Sequence, residues 1–177
     1  PNDPSPAISR GKEKYSDIAF KYFTVNFGDK KTNFEITAGN YYALVGRGMV
    51  LRSYEDRNLR LDNNLQGVLV KAGYRNFRLT ALAGSAANSN NERKDVLYLA
   101  DLEYRGLKWL KGGVTLASNK PEFDNVSRTD IGSLRLETSF GAFDGYFEYA
   151  VKKNSDIQNA VFNSSESFAG KGIYASA

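Results

Sequence analysis

The 177-residue sequence predicts an all-β chain, an antiparallel up-and-down transmembrane β-barrel with about nine strands in view, a fragment of a larger barrel. Three observations predict it. Short segments alternate apolar and polar residues with the period of two that sorts side chains between the faces of a strand. Their connections switch between tight and long, which puts tight turns at one end of the sheet and long polar loops at the other, as in barrels that cross a membrane. No apolar run approaches the roughly 20 residues of a membrane helix: Arg47 interrupts Tyr41–Leu51, and the mean hydropathy is −0.48. A barrel strand hides in that average, because only every second residue faces lipid.

Residues 1–16 read as a flexible N-terminal segment, of which Pro1–Pro6 carries neither the basic nor the apolar region of a leader peptide, and residues 17–177 read as the barrel portion. Ile18–Phe27 carries apolar residues on both faces, so its orientation stays open. After a turn near Gly28–Lys31, Phe34, Ile36 and Ala38 oppose Asn33, Glu35 and Thr37. Tyr41–Leu51 reads as strand, with Gly46 and Gly48 as small residues that permit a bend or the close approach of another backbone. Gly73–Asn76 is the next tight turn; Phe77, Leu79, Ala81 and Ala83 then oppose Arg78, Thr80, Leu82 and Gly84. Val96, Tyr98, Ala100, Leu102 and Tyr104 oppose Leu97, Leu99, Asp101 and Glu103. Beyond Arg105–Leu107, Leu110, Val114 and Leu116 oppose Lys111 and Thr115. Leu134, Leu136, Thr138 and Phe140 oppose Ser133, Arg135, Glu137 and Ser139. Across Gly141–Gly145, Phe147, Tyr149 and Val151 oppose Tyr146, Glu148, Ala150 and Lys152. Phe168–Ala177 begins a last strand. The long connections are expected at Ser53–Asn64, Ser85–Lys94, Ser118–Asp130 and Lys152–Ser167.

Parity does not say whether the apolar face meets lipid or a second sheet, since a soluble sandwich alternates in the same way. Aromatic residues near the tight turns, Phe77, Tyr104, Trp109, Phe140 and Phe147, favour lipid, because barrels place aromatic girdles at the membrane interface. On that reading Leu79, Ala81, Leu134, Leu136, Phe147, Tyr149 and Val151 face lipid. Lys71, Arg78, Asp101, Glu103, Lys111, Arg135, Glu137, Glu148 and Lys152 face the lumen.

Cysteine and histidine are both absent. That removes disulfides, thiol and imidazole catalysis and most zinc or haem ligand sets, and no metal or cofactor is expected. The net charge of +4 comes from bases interleaved with acids, as in Asn91–Asp95, which reads as a solvated surface and gives no nucleic-acid partner. Gly46-Arg47-Gly48 lacks the third glycine and the strand-turn-helix setting of a dinucleotide fingerprint. Around it, Arg47, Arg52, Arg57 and Arg60 stand near Glu55, Asp56 and Asp62. They form either a basic constriction on a loop folded into the lumen, since arginine rows line anion-selective pores, or an exposed loop paired to its own acids, which takes the greater weight. Oxygen ligands at Asp56, Asp62, Asn63 and Asn64 match no defined calcium loop. Glu137 and Glu148 on paired strands are too little for glycoside chemistry, and no enzyme is expected.

Gly39–Asp56, continuing through Leu61–Gly67, resembles a segment of uncharacterised porin-like outer-membrane β-barrel proteins. The resemblance covers residues 39–67 and implies a Gram-negative-type outer membrane, no assigned catalytic residue, and outer-membrane lipid and other envelope or surface proteins as partners. The function expected is a porin-like channel or a membrane-embedded scaffold of a surface assembly. The alternative is a soluble β-sandwich or jelly-roll module that binds or processes glycans. The balanced charges on the polar face imply weak ion selectivity, unless the arginine loop enters the lumen and favours anions.

Overall fold

The computed structural model describes residues 22–29, 32–56, 61–86, 93, 95–120, 126–159 and 164–177. The expected segment 1–16 lies outside them. Strands β1 (Tyr22–Gly28) and β2 (Thr32–Tyr41) are followed by four two-residue strands, β3 (Leu44–Val45), β4 (Leu51–Arg52), β5 (Glu55–Asp56) and β6 (Leu61–Asp62). Then come β7 (Leu65–Tyr74), β8 (Phe77–Ala86), β9 (Val96–Tyr104), β10 (Leu110–Lys120), β11 (Val126–Phe140), β12 (Phe143–Asn159) and β13 (Ser164–Ser176). Nine of these make one sheet in the order β1-β2-β7-β8-β9-β10-β11-β12-β13, every pair antiparallel. The sheet is not closed: among the described residues β1 and β13 are its two edges.

Tight connections fall at one end, as expected. The β7–β8 turn is Arg75-Asn76, with Arg75 at φ 52°, and the β11–β12 turn holds Gly141 at φ 63°. Two of the expected long loops are instead strand. β10 and β11 run through Lys120 and from Val126, and β12 and β13 through Asn159 and from Ser164, with a register shift between Asn154 and Ile157. Past the apolar band both faces turn polar, so the alternation vanishes from the sequence while the backbone ladder continues. Polar cross-strand pairs support this extension: Thr129 Oγ1 donates to Asn154 Oδ1 at 3.1 Å, and Arg128 Nε to Ser118 Oγ at 3.1 Å.

The register sorts the faces. On one face lie rows such as Glu35, Lys71, Thr80, Asp101, Thr115 and Ser133, and, one step nearer the tight turns, Arg78, Glu103, Gly113, Arg135 and Glu148. The opposite face carries Phe34, Ala72, Leu79, Leu102, Val114, Leu134 and Tyr149 in a single row. All the lumen-facing candidates therefore share one face and all the lipid-facing candidates the other. β1 takes an orientation that its sequence left open. Thr24 is in register with Thr37 on the charged face, so Phe23, Val25 and Phe27 join the apolar one, where the Phe27 ring lies 4.7 Å from that of Phe34.

The Tyr41–Leu51 stretch is not a continuation of β2. The chain leaves the sheet after Tyr41, and residues 42–56 and 61–64 form two small ribbons, β3 with β4 and β5 with β6, the first of them packed over the charged face. The buried cluster lies beneath them: Ala43 and Val45 pack with Tyr41, Leu65, Leu69, Leu82, Leu99 and Ala117. Burial of these apolar groups at about 25 cal/mol per Å2 is what holds the segment down.

Candidate functional site

The inner face, the one covered by the segment that follows β2, concentrates the polar chemistry of the described residues. Arg135 of β11 is 5% exposed and Asp101 of β9 is 7% exposed, and β10 runs between their strands. Gly113 on β10 makes the crossing possible, since a Cβ there would lie 2.4 Å from Arg135 Cζ. The guanidinium donates to both Asp101 carboxylate oxygens at 2.6 and 2.8 Å, to Thr115 Oγ1 at 2.9 Å and to Glu103 Oε2 at 3.2 Å. Thr115 completes the ring by donating to Asp101 Oδ1 at 2.7 Å. Arg105 holds Glu103 from its solvent side. Buried charges persist only when paired and hydrogen-bonded in this way.

The segment above meets this network at its turn. Gly46 at φ 56° and Gly48 at φ 89° reverse the chain between β3 and β4, in the left-handed region that glycine occupies without strain. The bend is as expected, but what comes close is side chains and not another backbone: a Cβ on Gly46 would lie 2.6 Å from Tyr146 Oη, 3.0 Å from Glu148 Oε2 and 3.2 Å from Arg135 Cδ. Tyr146 Oη accepts the Arg47 backbone N–H at 3.1 Å and donates to Glu148 Oε2 at 2.7 Å. The Arg47 guanidinium sits 5.0 Å from the centroid of the Tyr146 ring, a cation–π contact of about 0.5–1 kcal/mol where exposed. Met49 packs beside Gly172 of β13. Glu148 is fully buried, and its Oε1 has no hydrogen-bond partner among the described residues, as is true of Ser133 Oγ.

A cleft of about 420 Å3 opens beside this contact, toward the tight-turn end. Its charged lining is Arg47, Lys71, Arg78, Arg105 and Arg135 against Asp101, Glu103 and Glu137. Most of these are already paired: Lys71 with Glu35 at 2.8 Å, and Glu137 with Lys111. The structure thus brings together Lys71, Arg78, Asp101, Glu103, Arg135 and Glu137 of the expected inner set. Lys111 and Glu148 lie beside the cleft, while Lys152 stands exposed farther along the same face. Of the arginine set, Arg47 lines the cleft, Arg52 stacks its guanidinium 4.8 Å from the Tyr54 ring, and Arg57 and Arg60 lie outside the described residues.

The loop is folded inward, against the weightier expectation of an exposed loop. The reason is its apolar residues: Ala43, Val45, Val50 and Leu51 pack on the sheet rather than standing in solvent. Asp62 spends its oxygens locally, accepting from Tyr42 Oη at 3.0 Å and from the Asn64 side-chain amide at 2.9 Å. Tyr146, Thr115, Gly46 and Gly113 were not among the expected site residues. A tyrosine between charged positions and a glycine within a polar row were the only traces of them in the sequence.

A family model matches residues 5–177. The chain belongs to the family of unknown function DUF6029. Comparison with curated proteins and with solved structures finds no match. The DUF6029 match spans the whole described sheet and the segment folded over it, so both belong to the unit that the family defines.

Proposed function

We propose that this chain is part of an outer-membrane β-barrel whose lumen is filled by the segment after β2, residues 42–56 and 61–64, a membrane-embedded scaffold or a porin-like channel that conducts only when that segment shifts. One observation carries the reading: the sheet is inside-out for a soluble protein. Its covered face buries Arg135, Asp101 and Glu148, while Leu116, Leu134, Leu136, Val114 and Leu102 of the other face stand 43–64% exposed in a continuous band. Tyr74, Phe77, Tyr104, Phe140 and Phe143 edge that band at the tight-turn end. Apolar patches of that extent mark a membrane or a partner, and an aliphatic belt with aromatic margins fits lipid. Strands β7, β8 and β9 have 10, 10 and 9 residues, against about 9–11 for a tilted membrane strand. From Gly132 to Phe140 the outer residues of β11 span roughly 27 Å at about 3.4 Å per residue.

A soluble sandwich needs a second sheet on the apolar face. Among the described residues the only second layer lies on the charged one.

These 177 residues hold no cysteine, so each placed thiol is the sole one in this stretch. In the full-length protein in native membranes, Leu134→Cys and Leu79→Cys are expected to resist a membrane-impermeant maleimide that labels Lys152→Cys after permeabilisation. Equal labelling of all three, or recovery of the protein in the aqueous fraction without detergent, refutes the membrane assignment.

A further inference from the structure

The cleft on the inner face holds one charged group that nothing in the fold uses. Each carboxylate that lines it is taken: Asp101 by Arg135 and Thr115, Glu103 by Arg105 and Arg135, and Glu137 by Lys111. Lys71 is taken by Glu35, and the Arg47 guanidinium lies over the Tyr146 ring. Arg78 is left. It lines the cleft and is the one charged residue there with no hydrogen bond, ion pair or ring contact among the described residues. Its register shows why. Arg78 stands on β8 directly opposite Glu103 of β9, where opposite charges ordinarily pair across strands, but two other arginines already hold Glu103. On its other side is Gly73 of β7, which leaves its space to the Asn33 side-chain amide. The covering segment supplies the cleft's apolar wall. Ala43 and Val45 are buried against the sheet, so Tyr42 and Leu44 are left 45% and 62% exposed, and both line the cleft.

We infer that the cleft binds a small organic acid, a solute with one carboxylate on a short apolar body, the carboxylate seated on Arg78 and the body against Leu44 and Tyr42. The inference needs the covering segment in place but not the membrane, so it stands apart from the barrel assignment. A guanidinium presents a planar fork that matches both oxygens of one carboxylate, and Arg78 turns that fork to a ligand without breaking any pair among the described residues. The volume of about 420 Å3 falls within the roughly 300–1,000 Å3 of small-molecule sites, which join apolar walls to a few placed polar groups. A bare inorganic anion would leave the apolar wall unused.

The experiment uses the full-length protein in a non-ionic detergent and isothermal titration with two probes of nearly one shape, sodium benzoate and neutral benzamide. Benzoate is expected to bind at least about tenfold more tightly, the contribution of a charge-assisted hydrogen bond. Arg78→Gln is expected to lower the benzoate affinity to the level of benzamide. The residue is exposed and makes no contact, so the variant keeps the fold, which circular dichroism checks. Leu44→Ser is expected to lower the affinity for both probes severalfold by removing the apolar wall. Lys108→Gln, which removes an exposed charge outside the cleft, is expected to leave both affinities unchanged. No saturable binding of benzoate, equal binding of the two probes, or a preference for benzoate that Arg78→Gln leaves intact overturns the inference. A loss in Lys108→Gln as large as in Arg78→Gln overturns it too, because it would report net charge and not the site. Fractionation of native membranes decides the barrel assignment separately.

Discussion

Replacing Arg135 by methionine removes the cation that joins β9, β10 and β11 beneath the inserted segment. Four hydrogen bonds go with it, two to Asp101, one to Thr115 and one to Glu103. The two carboxylates fare differently. Glu103 keeps Arg105 and is half-buried, whereas Asp101 is left 7% exposed with only the Thr115 hydroxyl. Removing one partner of a buried ion pair costs about 3–5 kcal/mol, most of it the desolvation of the charge left behind, whereas replacing both partners by apolar groups is close to neutral. Arg135→Met is therefore expected to lose about 3–5 kcal/mol, and Arg135→Met/Asp101→Leu to recover to within about 1 kcal/mol of wild type. Equilibrium urea unfolding in detergent micelles, followed by far-ultraviolet circular dichroism, measures both. A single variant that costs under about 1 kcal/mol, or a double variant no better than the single, refutes the placing of this pair in a dry interior.

Leu134→Arg separates lipid from water as the medium of the outer face. In a bilayer it is expected to cost about 2–4 kcal/mol near the midplane, whereas on a wet surface it would stay within about 0.5 kcal/mol; refolding into liposomes measures which. Gly46→Val is expected to lift residues 42–53 from the inner face, because a left-handed backbone costs a non-glycine residue roughly 1–2 kcal/mol and its Cβ would lie 2.6 Å from Tyr146 Oη. Faster tryptic cleavage after Arg47 or Arg52, with raised conductance in a planar bilayer, reports it; unchanged protection would count against the docked segment. Tyr146→Phe strips the acceptor from Arg47 N–H and the donor from Glu148, for about 1–3 kcal/mol, and should raise trypsin sensitivity without abolishing folding. Where the wild type conducts, Arg47→Gln/Arg52→Gln is expected to reduce a preference for anions that 1 M salt already weakens. Reversal potentials under a salt gradient measure that preference, and strong cation selectivity would contradict it.

The meander and its two faces were legible because a period of two leaves an unambiguous trace wherever one face is apolar and the other charged. Leu134, Leu136 and Phe147 against Arg135, Glu137 and Glu148 is such a trace, and so the inner charged set came out as one face. The trace fails where both faces carry the same kind of residue. β1 is apolar on both, and its register against β2 was needed to place Phe23, Val25 and Phe27 outward. Beyond Asp130 toward Val126 and beyond Lys152 toward Asn159 the strands are polar on both faces, so they read as loop. The site was only partly legible for a different reason. Gly113 and Gly46 owe their meaning to side chains distant in sequence, Arg135 and Tyr146, and a glycine records only that room is needed. The inward fold of residues 42–53 leaves little trace, because Ala43, Val45, Val50 and Leu51 follow no regular period and stand among arginines that suit an exposed loop as well.

Strand direction bears on how a membrane-spanning sheet of this kind closes. In a nine-strand meander the first and last strands run the same way. β1 leads into the tight turn at Gly28, and β13 ends opposite Tyr146, near the tight turn at Gly141. Joining β1 to β13 directly would therefore make a parallel pair in a sheet whose every other pair is antiparallel. Unpaired backbone groups are not tolerated in lipid, and bacterial single-chain barrels satisfy them with an even strand number. On the membrane assignment an odd number of further strands stands between β13 and β1, outside the described residues. Cysteines placed in pairs on β1 and β13 test this. A disulfide between Val25→Cys and Ile173→Cys of the same chain would mean direct closure and sink the larger barrel, whereas no such disulfide forms where further strands separate the two edges.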